Sequence, residues 1–323
     1  MLQTPLEQVL LTEPSLDPAK FRNPDTTVKG ERRAVVALTR LRTLWFNTGS
    51  LCNITCKNCY MDSSPTNDQL AYLSIAEVSS YLEEISSDDW AVEEIAFTGG
   101  EPFMNPDLPQ MIELSLAQGY HALVLTNAMK PLQHKRAKLL DIKKRYGNAL
   151  TLRVSIDHFT RERHEDIRGD KTWEPMITNL RWLAENNFKL AVAGRTVWGE
   201  SEEESRVGYG NLFKREGISI DINDKSAMVL FPEMDETNDV PEITIHCWDI
   251  LGVSPESIMC ATSRMVIKRK GAEAPVVAPC TLLPYDPQFE LGTKLSDSAR
   301  SVKLNHPHCA RFCVLGGASC SAD

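Results

Sequence analysis

The chain has 323 residues, 42% hydrophobic and 24% charged, an ordinary globular balance with length for one sizeable domain and a smaller one. A net charge of −9 argues against a nucleic-acid backbone or an anionic membrane as main partner. No apolar run approaches a membrane span, and Met1 to Lys20 carries charges and prolines in place of a signal-peptide core, so a cytoplasmic location is expected. In a reducing compartment nine cysteines read as ligands or catalysts rather than disulfides.

Residues 1–37 hold Pro5, Pro14, Pro18 and Pro24 with little periodicity and read as an N-terminal arm strapped over the surface. From there to residue 231 strands and helices alternate, which favours a parallel sheet with crossover helices. The first strand, Thr43 to Thr48, delivers the chain into a cysteine loop. Ser74-Ile75-Ala76-Glu77 is a capping box, with Val78, Tyr81, Leu82 and Ile85 behind it at helical spacing. A second strand, Glu94 to Thr98, ends in Gly99-Gly100-Glu101-Pro102, after which Asn105 caps a helix opening with Pro106. His121 to Leu125 is a third strand, and Leu132 to Tyr146 a basic helix stopped by Gly147. Leu150 to Ile156 is a fourth strand. A helix from about Glu174 to Glu185, a fifth strand from Phe188 to Val197 and a weak helix over 202–215 follow. The three acids Glu202 to Glu204 read as a solvated helix face. Ile218 to Ile222 or Met228 to Phe231 supplies the sixth strand. Six βα units fall short of a closed eight-stranded barrel, so the expectation is a partial (β/α)6 TIM-like barrel with functional groups at the carboxyl ends of its strands.

After Pro232 the pattern changes to a small cysteine-rich α+β extension over 232–323. A short helix is expected around Cys247 to Leu251, with Cys247 as a small buried hydrophobe. Arg264 to Lys268 and Pro275 to Ala278 flank a turn at Lys270 to Glu273, and such a hairpin brings Cys260 and Cys280 together at its open end.

The organising stretch is Cys52-Asn53-Ile54-Thr55-Cys56-Lys57-Asn58-Cys59-Tyr60. Three thiolates in one loop select zinc, Cu(I) or an iron–sulfur cluster. No fourth Cys or His stands near in sequence to close a structural zinc site. This CxxxCxxC with an aromatic residue behind it resembles the cluster loop of the radical S-adenosylmethionine (SAM) enzymes, and Gly-Gly-Glu about forty residues further on strengthens the likeness.

The resemblance implies that Cys52, Cys56 and Cys59 bind a [4Fe–4S] cluster whose open iron chelates SAM. Gly99, Gly100 and Glu101 would hold the SAM amino group, Ser155 and Asp157 its ribose, Arg195 its carboxylate, and Tyr60 would flank the adenine. One-electron reduction of SAM would give a 5′-deoxyadenosyl radical that abstracts a substrate hydrogen atom. His164 to Gly169 resembles a stretch found in members with auxiliary clusters, where His164 reads more readily as a structural group than as an acid–base residue. The late cysteines Cys260, Cys280, Cys309, Cys313 and Cys320 resemble the Twitch or shortened SPASM extension, which carries one auxiliary [4Fe–4S] cluster. They leave open which four are ligands, and Asp297 stands where the full SPASM pattern has a further cysteine. The bland counterpart is a zinc knob with His306 and His308 beside Cys309, Cys313 and Cys320. The expected function is a radical SAM oxidoreductase acting on a small metabolite or a ribosomal peptide, its electrons coming from a reductase such as flavodoxin or ferredoxin. The competing class is a non-catalytic iron–sulfur or zinc protein on the same scaffold. Catalytic side chains are not identifiable from these residues.

Overall fold

The computed structural model describes residues 15–320 apart from residue 89, so the first fourteen residues of the arm lie outside the description. Val35–Val36 is β1, Thr43–Asn47 β2, Glu94–Thr98 β3, His121–Thr126 β4, Leu150–Ser155 β5, Lys189–Arg195 β6 and Met228–Phe231 β7. Ser263–Ile267 is β8, Val276–Ala278 β9 and Val302–Lys303 β10. The helices are α1 (Ile75–Ser87), α2 (Leu108–Ala117), α3 (Lys130–Gln133), α4 (Arg136–Tyr146), α5 (Arg161–Arg168), α6 (Trp173–Glu185), α7 (Glu202–Glu216) and α8 (Cys247–Leu251).

Strands β2 to β7 lie side by side in sequence order and all parallel, the six-stranded partial barrel. Each strand turns alternate residues to opposite faces. Leu44, Phe46, Ile95, Phe97 and Val124 meet the helices in one core. Trp45, Ala96 and Leu123 point inward to a second core shared with Met259, Cys260, Met265 and Phe312. That second core stands the late cysteines against the barrel interior.

The expected hairpin forms, with Met265 opposite Ala278 and Ile267 opposite Val276. Its first strand does more than sequence suggested: β8 pairs in parallel with β2, Thr43 opposite Ser263, so the barrel sheet continues through β8 to β9. The sixth strand is Met228–Phe231, while Ile218 to Ile222 forms none. The basic helix breaks into α3 and α4 around His134 and Lys135, and α2 starts three residues beyond Asn105, whose side chain instead accepts from the Asp107 amide at 3.0 Å. Helix α5 was not anticipated. Glu202, Glu203 and Glu204 occupy the first turn of α7, favourable for acids at a helix N-terminus. Cys247 is half-buried rather than buried and accepts from the Thr244 amide at 3.3 Å. The described part of the arm is fastened through β1 to β10 and through Arg33, which meets Glu242 at 2.6 Å with both side chains buried.

Candidate active site and a second cysteine cavity

The carboxyl ends of the barrel strands open into a cleft that is partly open to solvent. Thr98, Thr126, Ser155, Arg195 and Phe231, the last residues of β3 to β7, line it, as do Cys52, Cys56 and Cys59. Tyr60, Gly99, Gly100 and Asp157 stand on the same wall. Of the candidate residues at this end only Glu101 is withdrawn from the surface of the cleft.

The cysteine loop is pinned at several points. The Cys52 amide donates to the Ser64 carbonyl at 3.1 Å and the Lys57 amide to Ile167 at 2.8 Å. Asn127 Nδ2 reaches Cys52 Sγ at 3.8 Å. Arg195 donates to the Lys57 carbonyl at 3.3 Å and meets Glu233 at 2.8 Å, so this guanidinium binds the loop itself. From the extension, the Tyr285 hydroxyl donates to the Met61 carbonyl at 2.6 Å and holds the loop's exit.

Gly99 and Gly100 serve close packing. Gly99 has φ +137°, and a Cβ there would meet the Gly49 carbonyl oxygen at 2.5 Å; at Gly100 it would fall on the backbone of Leu51. The Gly100 and Glu101 amides donate to Gly49 at 2.9 Å and Leu51 at 3.1 Å, locking this turn to the root of the cysteine loop. The Glu101 carboxylate accepts from Thr126 Oγ1 and the Asn127 amide, both at 2.8 Å, and from the Phe103 amide at 3.2 Å. Burial raises its pKa to about 7 despite these donors.

Burial likewise pushes the Cys52 thiol to about 12 and Cys56 to about 11. Cys56 is held back by Arg168, a residue sequence did not single out as part of the site. Arg168 ends α5, lines the cleft and meets Asp157 at 2.7 Å. Burial opposes its charge, yet Asp157 and the Cys56 thiol hold its pKa above the ordinary value. His164, one turn earlier, is buried edge-on to Trp173, and burial pushes its pKa down to about 3, which leaves it a neutral packing group. Tyr60 stands half-buried, its phenol raised by burial and by Cys320 and hydrogen-bonded to the Thr98 side chain.

A second and much tighter cavity lies in the inner core. Cys260, Cys280, Cys309 and Cys313 line it among Ile258, Leu282, Leu283, Val302 and Leu304. All four thiols are buried and free of disulfides. Cys309 and Cys313 sit in a π-helical turn, Cys309–Leu315, which turns residues four apart toward one side. Cys320 is not on this wall. Its thiol accepts from Thr281 Oγ1 at 3.3 Å, and its carbonyl from Arg153 Nη1 at 2.5 Å. Phe231 on the first cavity packs against Phe312 in the π turn, ring centroids 5.1 Å apart, which joins the cleft wall to the turn that carries Cys309 and Cys313.

Neither His306 nor His308 lines the thiol cavity. With Glu236 they form the one set of three Cys, His, Asp or Glu among the described residues whose ligand atoms all fall within 4.8 Å of one another. The His306 Nδ1 accepts from the His308 amide at 3.1 Å, which leaves its proton on Nε2, facing Glu236 at 3.8 Å. This trio is a carboxylate with donors around it rather than a metal cage.

A partial parallel barrel with a thiol-lined cleft at its strand ends is the architecture of an enzyme built round a cysteine-held cofactor. The radical SAM superfamily matches residues 46–207, half of the chain, and the chain belongs to that superfamily, whose enzymes use a [4Fe–4S] cluster and SAM. Over 143 residues it is 28% identical to the antilisterial bacteriocin subtilosin biosynthesis protein AlbA of Bacillus subtilis, covering 44% of this chain and 30% of AlbA. Over 157 residues it is 32% identical to the GTP 3′,8-cyclase of Chlorobaculum tepidum, 48% of this chain and 45% of the cyclase. The chain thus spans less than half the length of these relatives. In fold it resembles Streptococcus suis SuiB bound to S-adenosylmethionine, with TM-score 0.56 and 12% identity over 79% of this chain and 63% of that one.

Proposed function

We propose that the chain is a radical SAM oxidoreductase with one auxiliary [4Fe–4S] cluster. Cys52, Cys56 and Cys59 hold the SAM-binding cluster, and Cys260, Cys280, Cys309 and Cys313 hold the auxiliary one. The observation that carries this reading is the pairing of two separate thiol-lined cavities, three thiols at the barrel mouth and four in the inner core. A single tetrahedral zinc keeps its thiolates about 3.8 Å apart. Among the described residues no three thiols have all their sulfurs within 4.8 Å of one another, so as they stand they do not form a closed zinc cage. The chemistry supplied by SAM at the first cluster is a 5′-deoxyadenosyl radical.

The chain's own residues position and shield. Arg195 and Asn127 fix the cysteine loop, Asp157 and Arg168 furnish paired charge on the wall, and Ser155 offers a hydroxyl to the bound sugar. Tyr60 supplies a flat face for the adenine. Gly99 and Gly100 let the Glu101 turn sit flush against the loop, and Glu101 orders Asn127 beside Cys52. We place the domain boundary near residue 231, although the sheet continues across it. The substrate is a peptide side chain or a small metabolite: SuiB has been solved with its precursor peptide SuiA, while a GTP cyclase matches the same barrel. An external one-electron reductase such as flavodoxin or ferredoxin completes the system.

The test is iron and acid-labile sulfide per chain after anaerobic reconstitution, with 5′-deoxyadenosine formation from SAM and dithionite. About eight irons are expected, falling to about four with loss of 5′-deoxyadenosine when Cys52, Cys56 and Cys59 are all changed to Ala. Native protein holding two clusters but releasing no 5′-deoxyadenosine would return the chain to the non-catalytic class.

A further inference from the structure

Arg264 is among the most buried side chains of the molecule, the second residue of the fully buried strand β8. Its guanidinium donates to four carbonyls: Cys260 at 2.6 Å, Ser263 at 2.8 Å, Ser298 at 3.0 Å and Arg300 at 3.1 Å. These take four of its five N–H groups but carry no net charge. Among the described residues no carboxylate pairs with it, and the ionisable groups that act on it are the thiols of Cys260 and Cys280. Arg33, which acts on Cys309, is by contrast neutralised by Glu242 at 2.6 Å. A buried charge is ordinarily paired, because an isolated one loses its hydration without return. The fold therefore sets a desolvated cation on the backbone of Cys260, whose thiol is one of the four of the cavity, and among the described residues no carboxylate reaches it.

We infer that Arg264 is the built-in counterion of the group held by Cys260, Cys280, Cys309 and Cys313, and that it raises that group's reduction potential. The inference rests on the auxiliary-cluster reading. Four thiolates on a [4Fe–4S] core give a net charge of about −2 oxidised and −3 reduced, and potential follows net charge, hydrogen bonding and exposure. One electron enters and no proton need follow, so a fixed cation in low dielectric favours the reduced state. Arg264 touches neither SAM nor substrate; it is a positioning residue for charge, making the auxiliary centre a better electron acceptor.

The experiment isolates the auxiliary cluster in protein carrying Cys52→Ala, Cys56→Ala and Cys59→Ala, and titrates it by EPR-monitored redox potentiometry. In that background Arg264→Gln, which keeps donors for the carbonyls but loses the charge, is expected to shift the equilibrium tenfold or more against reduction, which is 59 mV for one electron. Arg264→Lys keeps the charge on a shorter set of donors and is expected to stay within tenfold of the parent. Four irons in Arg264→Gln with an unmoved midpoint overturn the inference. So does a tenfold or larger fall in Arg264→Lys with four irons in place, and this arm decides alone if Arg264→Gln does not fold. Absence of iron from the parent background overturns the auxiliary-cluster reading itself, a result distinct from either of these.

Discussion

Arg168 and Asp157 meet on the wall of the cysteine cleft, Nε to Oδ2 at 2.7 Å and Nη2 to Oδ1 at 3.2 Å, joining the end of helix α5 to the turn after strand β5. Both side chains are largely buried, so removing one partner strands the other's charge. Arg168→Ala is expected to cost about 3–5 kcal/mol in urea unfolding of the cluster-free protein. A cost under about 1 kcal/mol would show the pair to be solvated and its place on the wall incidental.

Gly100 is held between the Leu51 backbone and the turn that follows β3, with no flexible side chain to yield. Gly100→Ala should force the root of the cysteine loop outward, costing about 1–3 kcal/mol and lowering iron retained at Cys52, Cys56 and Cys59. Gly119 is the control: its φ is +91° but a Cβ there meets nothing within 4 Å. Gly119→Ala carries backbone strain alone, and its iron content should match the parent. Equal iron loss in both variants would show that instability, and not the Leu51 contact, is responsible.

Glu101 gives a pH dependence with a definite sign. Burial lifts its folded pKa to about 7 from an ordinary 4.5, so between those values the folded chain holds a proton the unfolded chain has released. Stability from this group is full below about pH 4.5 and is lost as pH rises through 7, by about 3 kcal/mol in all. Urea midpoints of the cluster-free protein across pH 4.5–7.5 should show this decline, and Glu101→Gln should remove the slope whatever its own stability. A slope that survives in the Gln variant assigns the effect elsewhere.

The barrel strands, the cysteine loop and the turn at Gly99 were legible because each is written locally, in a short apolar run or a fixed spacing. The parallel pairing of β8 with β2 was not, since its partners lie more than two hundred residues apart and parallel register leaves no turn to read. Arg264 carries a sequence signal of its own, a lone arginine beside Met265, Val266 and Ile267 in a strand otherwise built for burial. Helix α5 escaped because its residues are nearly all charged. Thr160 before it and Gly169 after it bound it at both ends, and Arg168 came into the site with it. Glu101 was placed in the right turn, but only the fold showed its carboxylate spent on Thr126 and Asn127.

The proposed auxiliary cluster would draw four ligands from five late cysteines, and their surroundings differ. Cys260, Cys280, Cys309 and Cys313 share one apolar cavity, while Cys320 is held by Thr281 and Arg153 on its barrel side. Measured in protein already lacking Cys52, Cys56 and Cys59, Cys320→Ala should keep about four irons and the parent's visible charge-transfer absorption. Cys260→Ala and Cys313→Ala should each lose most of that iron, or retain it as an oxygen-labile cluster of altered EPR signal. The opposite ranking, with iron lost on changing Cys320 and kept on changing Cys313, would mean that the last turn of the chain rearranges to bring Cys320 into the cavity when the cluster binds. It would also free a thiol in the π turn, beside Phe312 and within the wall that Phe231 shares with the SAM cleft.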